Sequence, residues 1–361
     1  MKRFIINSRQ DLLTIKKINR AFDEITINLD VIKQRGLIRH AVKYSINALQ
    51  INGRMIINTT PFVAYYFRKN AIDYWQVKYE VLNSLRDAIE IEESVPEQGK
   101  LILIKKKHLY DYDGISFGIV FSGSENEEIQ LIQQVDSIVE NERYNKVPSE
   151  VNICGPSTYN PSKLLKHFEN QNVNYFPFDI PTAPRLMICE KKNYLYIKGN
   201  YSIIVIAHTR ILFSKNFIGE LYQYPIEMGT SSIFFKKGDR EYKYLDFGFL
   251  NSYQDIQLGT NKLPVAGENV DTESLHWFKN RVPYIDGGLN IFNKNIILHP
   301  PYNQYIAWGE AEDVDICNRL FQEGVLIDYL PDIKCFSVTN KLKGYNKLKK
   351  VGRKIFEFLN K

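Results

Sequence analysis

The run Ser202-Ile203-Ile204-Val205-Ile206-Ala207 constrains the fold more than any other stretch of this chain. A segment so short and so nearly free of polar atoms reads as a strand, and one apolar on both faces needs cover on both. It predicts the buried centre of an α/β sheet. The run stops at His208-Thr209-Arg210, which places polar side chains at the strand's carboxyl end, where open α/β sheets bind their ligands.

The residues ahead of it alternate in kind. Asp111-Tyr112-Asp113-Gly114 reads as a boundary, Ile115–Phe121 as a strand and Ser122-Gly123-Ser124 as a turn. Ser124 and Glu127 have capping-box spacing, and Ile129, Ile132, Val135, Ile138 and Val139 are expected on the buried side of the helix that follows. A strand at Val151–Cys154, a Gly155-Pro156 turn, a helix through Leu164, Leu165 and Phe168, and a strand at Val173–Phe178 ending at Asp179 complete a nucleotide-binding half-sheet. Its geometry predicts that Phe121, Gly123, Gly155, Pro156 and Asp179 share one crevice. For Asp179 alone, a plain turn residue is the other reading.

A second constraint lies near the C-terminus, in Trp308–Gly324. Gly324 is a helix stop, and Glu310, Glu312 and Asp313 suit the positive end of the helix it closes. At roughly 100° per residue, Asp313, Ile316, Cys317, Leu320 and Phe321 share a face, and Glu312 falls off it. A carboxylate in an apolar stripe is costly without a partner or a task. Asp313 is therefore either a helix-start carboxylate bonding backbone N–H groups or a functional acid.

The N-terminal third also alternates. Strand candidates at Arg3–Ile6, Glu24–Leu29, Arg54–Asn58 and Leu101–Lys105 are separated by helical stretches, one around Trp75 to Ile89, with Gln50-Ile51-Asn52-Gly53 as a turn. At 361 residues the chain is long enough for two domains, and 44% hydrophobic residues with mixed charge suit a globular protein. Four scattered cysteines without C-x-x-C argue against a zinc site and for a reducing compartment. The first residues form no signal-like apolar run and no stretch approaches a membrane span, so a cytoplasmic protein is expected. A net charge of +6 suits an anionic ligand or surface. The basic residues follow no recognition motif, so nucleic acid is not an expected partner.

Tyr284-Ile285-Asp286-Gly287-Gly288-Leu289-Asn290 and Trp308-Gly309-Glu310-Ala311-Glu312-Asp313 together resemble the acceptor side of GT-A glycosyltransferases of the family-two, galactosyltransferase C-terminal type. In that family a Gly-Gly turn precedes a Trp-Gly-x-(x)-Glu-Asp helix start whose second acid, here Asp313, is the base of inverting members. The resemblance extends back to about residue 114 and implies a mixed sheet flanked by helices. It implies a hexosyl donor held as a nucleotide-diphosphate sugar, such as a UDP-sugar, at Phe121, Gly123, Gly155, Pro156, Asp179, Lys192, Asn193, His208 and Arg210. Catalysis would fall to Asp313 with Glu312. A saccharide or lipid-linked acceptor would meet Asp286, Gly287, Gly288 and Trp308, in a surface-polysaccharide setting. The expected organisation is a degenerate Rossmann-like α/β domain at 1–112, the transferase domain at 113–340 and a basic helix at 341–361, able to rest on an anionic membrane. The first domain resembles the later half of a class I methyltransferase but has no G-x-G-x-G loop, which disfavours methyl transfer.

The sequence departs from the family at one place. Most relatives carry Asp-x-Asp, which holds Mg²⁺ or Mn²⁺, where this chain has His208-Thr209-Arg210, and the stretch 336–340 lacks the histidine that metal-binding relatives add. A metal is therefore doubtful, with His208 as its only candidate ligand. Arg210 and Lys192 are expected to balance the diphosphate instead. The loss of those acids also leaves a non-catalytic sugar-nucleotide or glycan-binding protein as an alternative. The polar loop Leu258–Asp271 reads as a lid or specificity element, and Trp277 and Trp308 as stacking faces or core.

Overall fold

The computed structural model describes residues 1–32, 37–61, 72–183, 186–237, 239–243, 246–250 and 282–338. The expected lid at 258–271, Trp277 and the basic tail 341–361 lie outside the described residues.

The chain builds an α/β structure on two main sheets. The first is five-stranded, in the order β1-β2-β3-β5-β4, from β1 (Arg3–Ile6), β2 (Phe22–Asn28), β3 (Leu49–Asn58), β4 (Ile89–Val95) and β5 (Lys100–Lys105). β1, β2 and β3 run parallel, and β5 is antiparallel to both its neighbours. Helices α1 (Arg9–Ile15), α2 (Leu29–Ile32), α3 (Ile38–Ala48) and α4 (Tyr74–Leu85) connect them. The expected turn at Gln50–Gly53 falls inside β3 instead. Asn52 takes a left-handed φ of 62° and the register against β2 shifts there, so the turn-like residues mark a bulge. The helix around Trp75 ends at Leu85, where Arg86 turns left-handed, and Ile89 already begins the charged edge strand β4.

The second sheet holds β6 (Ile115–Val120), β7 (Ser149–Gly155), β8 (Val173–Pro177), β9 (Ile203–His208), β10 (Ile211–Phe213), β11 (Met228–Lys237), β12 (Arg240–Lys243), β15 (Leu289–Asn293) and β16 (Ile327–Ser337). Its order is β10-β16-β11-β15-β9-β6-β7-β8, with β12 paired to β11. β13 (Phe247–Leu250) and β14 (Val282–Ile285) form a separate ribbon. β6 to β9 are parallel and β15 is antiparallel to β9, so the sheet is mixed. Its helices are α5 (Glu125–Asn145), α6 (Ser162–His167), α7 (Ile188–Lys198), α8 (Phe217–Leu221) and α9 (Glu312–Gln322).

β9 shows why the apolar run was decisive. Ile203, Val205 and Ala207 join the core under α5 and α8, while Ile204 and Ile206 join the core under α7 and α9. Successive side chains point to opposite faces, and each face has its own cover.

Two local expectations on α5 fail. Glu127 does not close a capping box with Ser124; its Oε2 accepts the Ser122 N–H at 2.8 Å, two residues earlier. Ile129 is largely exposed, because the buried face centres on Leu131, Val135 and Ile138 rather than on Ile129.

The two sheets meet through buried charge. Lys43 of α3 reaches Glu227 at 2.6 Å, and Tyr110 Oη and the Leu326 N–H each donate to the same carboxylate at 2.7 Å. Beside it, Lys16 stands 3.0 Å from Asp328, which also accepts the Tyr44 hydroxyl at 2.8 Å. Every oxygen of these carboxylates has a donor, which a buried charge requires.

Candidate functional site

The site begins at the carboxyl end of β9. Antiparallel pairing with β15 sets Ala207 opposite Leu289, which brings the Asp286–Gly288 turn beside His208–Arg210. The His208 N–H donates to the Gly288 carbonyl at 3.1 Å, and the His208 carbonyl accepts from Gln134 at 2.9 Å. His208 is half-buried with its backbone tied on both sides.

Charged groups pack on the backbone of both glycines, tightly at Gly288 and at near-ordinary contact at Gly287. A Cβ on Gly288 would stand 2.5 Å from Arg210 Nη2 and 2.8 Å from Asp286 Oδ2. A Cβ on Gly287 would stand 3.3 Å from Lys192 Nζ, 3.6 Å from Glu312 Oε1 and 3.8 Å from Asp313 Cβ. The turn is thus the hub of five ionisable side chains from four segments. Arg210 Nη2 lies 3.6 Å from Asp286 Oδ2, and Asp286 also accepts the Gly288 N–H at 3.1 Å.

Lys192 is fully buried. Its Nζ donates to the Gly287 carbonyl at 3.3 Å, sits over the Tyr302 ring at 4.9 Å and is 4.0 Å from Glu312. One turn into α7, it faces inward. Glu312 was expected off the apolar face, and it is buried, with Lys192 of α7 4.0 Å away. Asn193 clamps a neighbouring loop: its Nδ2 donates to the Tyr302 carbonyl at 2.7 Å and its Oδ1 accepts the Tyr302 N–H at 2.9 Å.

Asp313 is half-buried in the first turn of α9, after a left-handed Ala311 that supplies no side-chain cap. Its Oδ1 accepts the Val314 N–H at 3.0 Å and its Oδ2 accepts the Tyr284 hydroxyl at 2.9 Å. Burial, then the carboxylates of Glu312 and Asp286, push its pKa up to about 6, against the pull of Tyr284 and Lys192. Such a group gains and loses its proton near neutrality. Trp308, just upstream, is more than half exposed.

The second half of the site lies at the ends of β6, β7 and β8. Gly123 takes φ 87°, and a Cβ there would stand 2.6 Å from Pro156 Cγ. Phe121 lies edge-on to Tyr159 with centroids 4.9 Å apart, and a Cβ on Gly155 would meet the Tyr175 hydroxyl, which donates to the Pro156 carbonyl at 2.7 Å. Asp179 is exposed at the rim, its carboxylate accepting the Ser157 N–H at 2.9 Å, a bond that holds its pKa below the usual range. These five expected positions do come together.

Sequence reasoning gave no role to Lys191, Tyr284 or Tyr302. Lys191 is buried and donates to the Phe121 carbonyl at 3.3 Å, so consecutive lysines of α7, about 100° apart, serve opposite halves of the site. The Lys-Lys pair at a helix start was the available signal. Nothing in sequence marked Tyr302, whose hydroxyl donates to Asn290 at 2.6 Å.

The residues at the β9 end do not fit a divalent cation. Hard cations take carboxylate and carbonyl oxygens, whereas His208 and Arg210 occupy the strand end, and the nearest acid, Asp286, lies beside the Arg210 guanidinium. Among the described residues no cluster of three or more His, Cys, Asp or Glu could hold a metal. Nor is any helix among them long and apolar enough to cross a membrane.

No family model and no curated protein matches the chain. Solved structures similar to it in part include GalNAc-T7 with UDP, GalNAc and Mn²⁺ (13% identity, 64% of this chain and 44% of that one, TM-score 0.45). Others are residues 1–349 of S. aureus TarS in complex with UDP-GlcNAc (11%, 63% and 59%, 0.41) and the mannosyltransferase PcManGT from Pyrobaculum calidifontis in complex with GDP-Man and Mn²⁺ (10%, 85% and 69%, 0.41). The chain spans less than two thirds of the length of the first two.

Proposed function

We propose that this chain is an inverting glycosyltransferase of the GT-A type, moving a hexose from a UDP-sugar to a saccharide or lipid-linked acceptor in surface-polysaccharide assembly. The observation that carries the reading is Asp313: a carboxylate titrating near neutrality, set beside a Gly-Gly turn and two buried cations at the carboxyl end of the central strand. The crevice at Phe121, Gly123, Gly155, Pro156 and Asp179 takes the nucleoside, and Asp286 and Trp308 meet the acceptor. Asp313 removes the proton from the acceptor hydroxyl as that oxygen attacks the anomeric carbon, and the nucleoside diphosphate leaves from the opposite face. Arg210, with Lys192 behind the turn, balances the charge gathering on the diphosphate, and no step passes through a metal.

The first sheet supports a scaffold role. Its last strand, β5, is inserted antiparallel between β3 and β4, which fits the later half of a methyltransferase sheet, while the cofactor-cradling glycine loop has no counterpart in residues 1–110. A second reading, a non-catalytic sugar-nucleotide binder, draws on the acids already standing beside both cations. Nucleotide release from a panel of UDP- and GDP-sugars, with and without EDTA, separates them. Turnover that survives EDTA and is lost in Asp313→Asn supports the transferase; binding without turnover supports the rival.

A further inference from the structure

We infer that Tyr284 is the positioning residue of Asp313, holding one carboxylate oxygen fixed and keeping the other side of the group available for the acceptor hydroxyl. The inference rests on the reading of Asp313 as the base. Tyr284 is the penultimate residue of β14, two positions before the Asp286–Gly288 turn, so one backbone segment carries both the partner of the acid and the floor of the site. The phenol is buried, and its hydroxyl donates at 2.9 Å to Oδ2 of Asp313, while Oδ1 takes the Val314 N–H at 3.0 Å. With each oxygen accepting one hydrogen bond, a swing of the Asp313 carboxylate toward solvent breaks at least one of them, while each oxygen keeps a second lone pair. A fixed base costs no reordering at the moment of proton transfer.

Chemistry makes the bond directional. Burial and the neighbouring carboxylates raise the Tyr284 pKa well above that of an ordinary phenol, so it donates throughout the working range. A donor to the carboxylate favours the ionised form, which is the form a base needs. The other groups facing Asp313 are Glu312 from its own helix and Asp286 from the turn, which oppose ionisation, and Lys192 from α7, which favours it. The Cys317 thiol of the same helix and the Tyr302 phenol also face it, and the Asp313 charge raises the pKa of both. Arg210 faces Asp286. Without the phenol one of the two groups that oppose burial and the acids is lost, and the pKa rises further.

Tyr284→Phe removes only the oxygen. Carboxyl-carbon NMR titration, with Asp313→Asn to assign the signal, is expected to show the Asp313 midpoint near 6 in the parent and about one unit higher in Tyr284→Phe. The acidic limb of sugar-nucleotide turnover is expected to move with it, giving a roughly 3-fold loss at pH 6.5 that recovers by pH 8.5, with KM for donor unchanged. An unmoved midpoint overturns the inference, whatever the activity, and the titration is read on folded protein without substrate. If Asp313→Asn retains full turnover, Asp313 is not the base and the positioning role falls with it. If Asp313→Asn is inactive while Tyr284→Phe keeps the parent pH profile, only the Tyr284 inference fails.

Discussion

Arg39, on the third helix of the first sheet, donates from Nη1 to the carbonyl of Phe321 at 2.7 Å, in the last turn of the helix that carries Asp313. The same nitrogen reaches the Val325 carbonyl at 3.0 Å, and the guanidinium lies 4.0 Å from the Phe321 ring centroid. Asn83 donates to the Gln322 carbonyl and Arg86 to that of Glu323. A helix leaves its last carbonyls without partners and carries negative potential there. Here the N-terminal unit supplies those partners, two of them cations.

Arg39→Ala should therefore act on the site from a distance. It strips two carbonyls of a charged donor and leaves Glu80 without its guanidinium, costing about 2–3 kcal/mol in a urea melt. Turnover should lose heat resistance before it loses rate at 25 °C. A melt unchanged from the parent would show that the two units are held by other contacts.

Lys43→Met tests those other contacts. Glu227 is wholly buried, and removing its ammonium partner leaves an uncompensated charge, a loss of about 3–5 kcal/mol. The double variant Lys43→Met/Glu227→Gln should recover part of that loss, since the amide keeps an acceptor for Tyr110 without the charge. Equal melts for single and double variants would contradict the paired-charge account.

How much of this could be read from sequence follows from the range of the interactions. The central strand was legible because Ile203 to Ala207 bury both faces on their own composition. The Asp313 stripe was legible because helical periodicity is local, and the convergence of Phe121, Gly123, Gly155, Pro156 and Asp179 because strand ends meet by topology. The Lys43–Glu227 and Lys16–Asp328 pairs were not, since their partners are 184 and 312 residues apart. The full burial of Lys192 was not legible, because it depends on α7 packing under a turn from another part of the chain. Glu312 was set off the apolar face because its cover includes Lys192, 120 residues earlier on α7.

The raised pKa of Asp313 has a stability signature of opposite sign to its role in turnover. Its folded value, about 6, lies above the roughly 3.9 of an unfolded aspartate, so the folded state holds the proton more tightly. Stability thus falls as pH rises from about 4 to about 6 and stays lower above, by about 2–3 kcal/mol. Asp313→Asn removes that penalty, and its melt at pH 8 should exceed the parent's while matching it at pH 4. Turnover should drop about 10²- to 10⁴-fold in the same variant. A variant less stable at pH 8 would mean that the carboxylate is held favourably, contrary to its burial among acids.

The glycine turn supplies the sharpest separation of fold from function. In Gly288→Ala the new methyl meets Arg210 Nη2 at 2.5 Å and Asp286 Oδ2 at 2.8 Å, distances that no Cβ tolerates. Both atoms are side-chain ends and can retreat, so the fold survives with a melt within about 1 kcal/mol of the parent. Their retreat carries the guanidinium away from the strand end where the diphosphate charge must be met. Affinity for UDP, measured by calorimetry, should fall at least about tenfold, since a charged hydrogen bond is worth about 1.5–3 kcal/mol. Binding at parental strength would remove Arg210 from the donor site and, with it, the metal-free account of the leaving group.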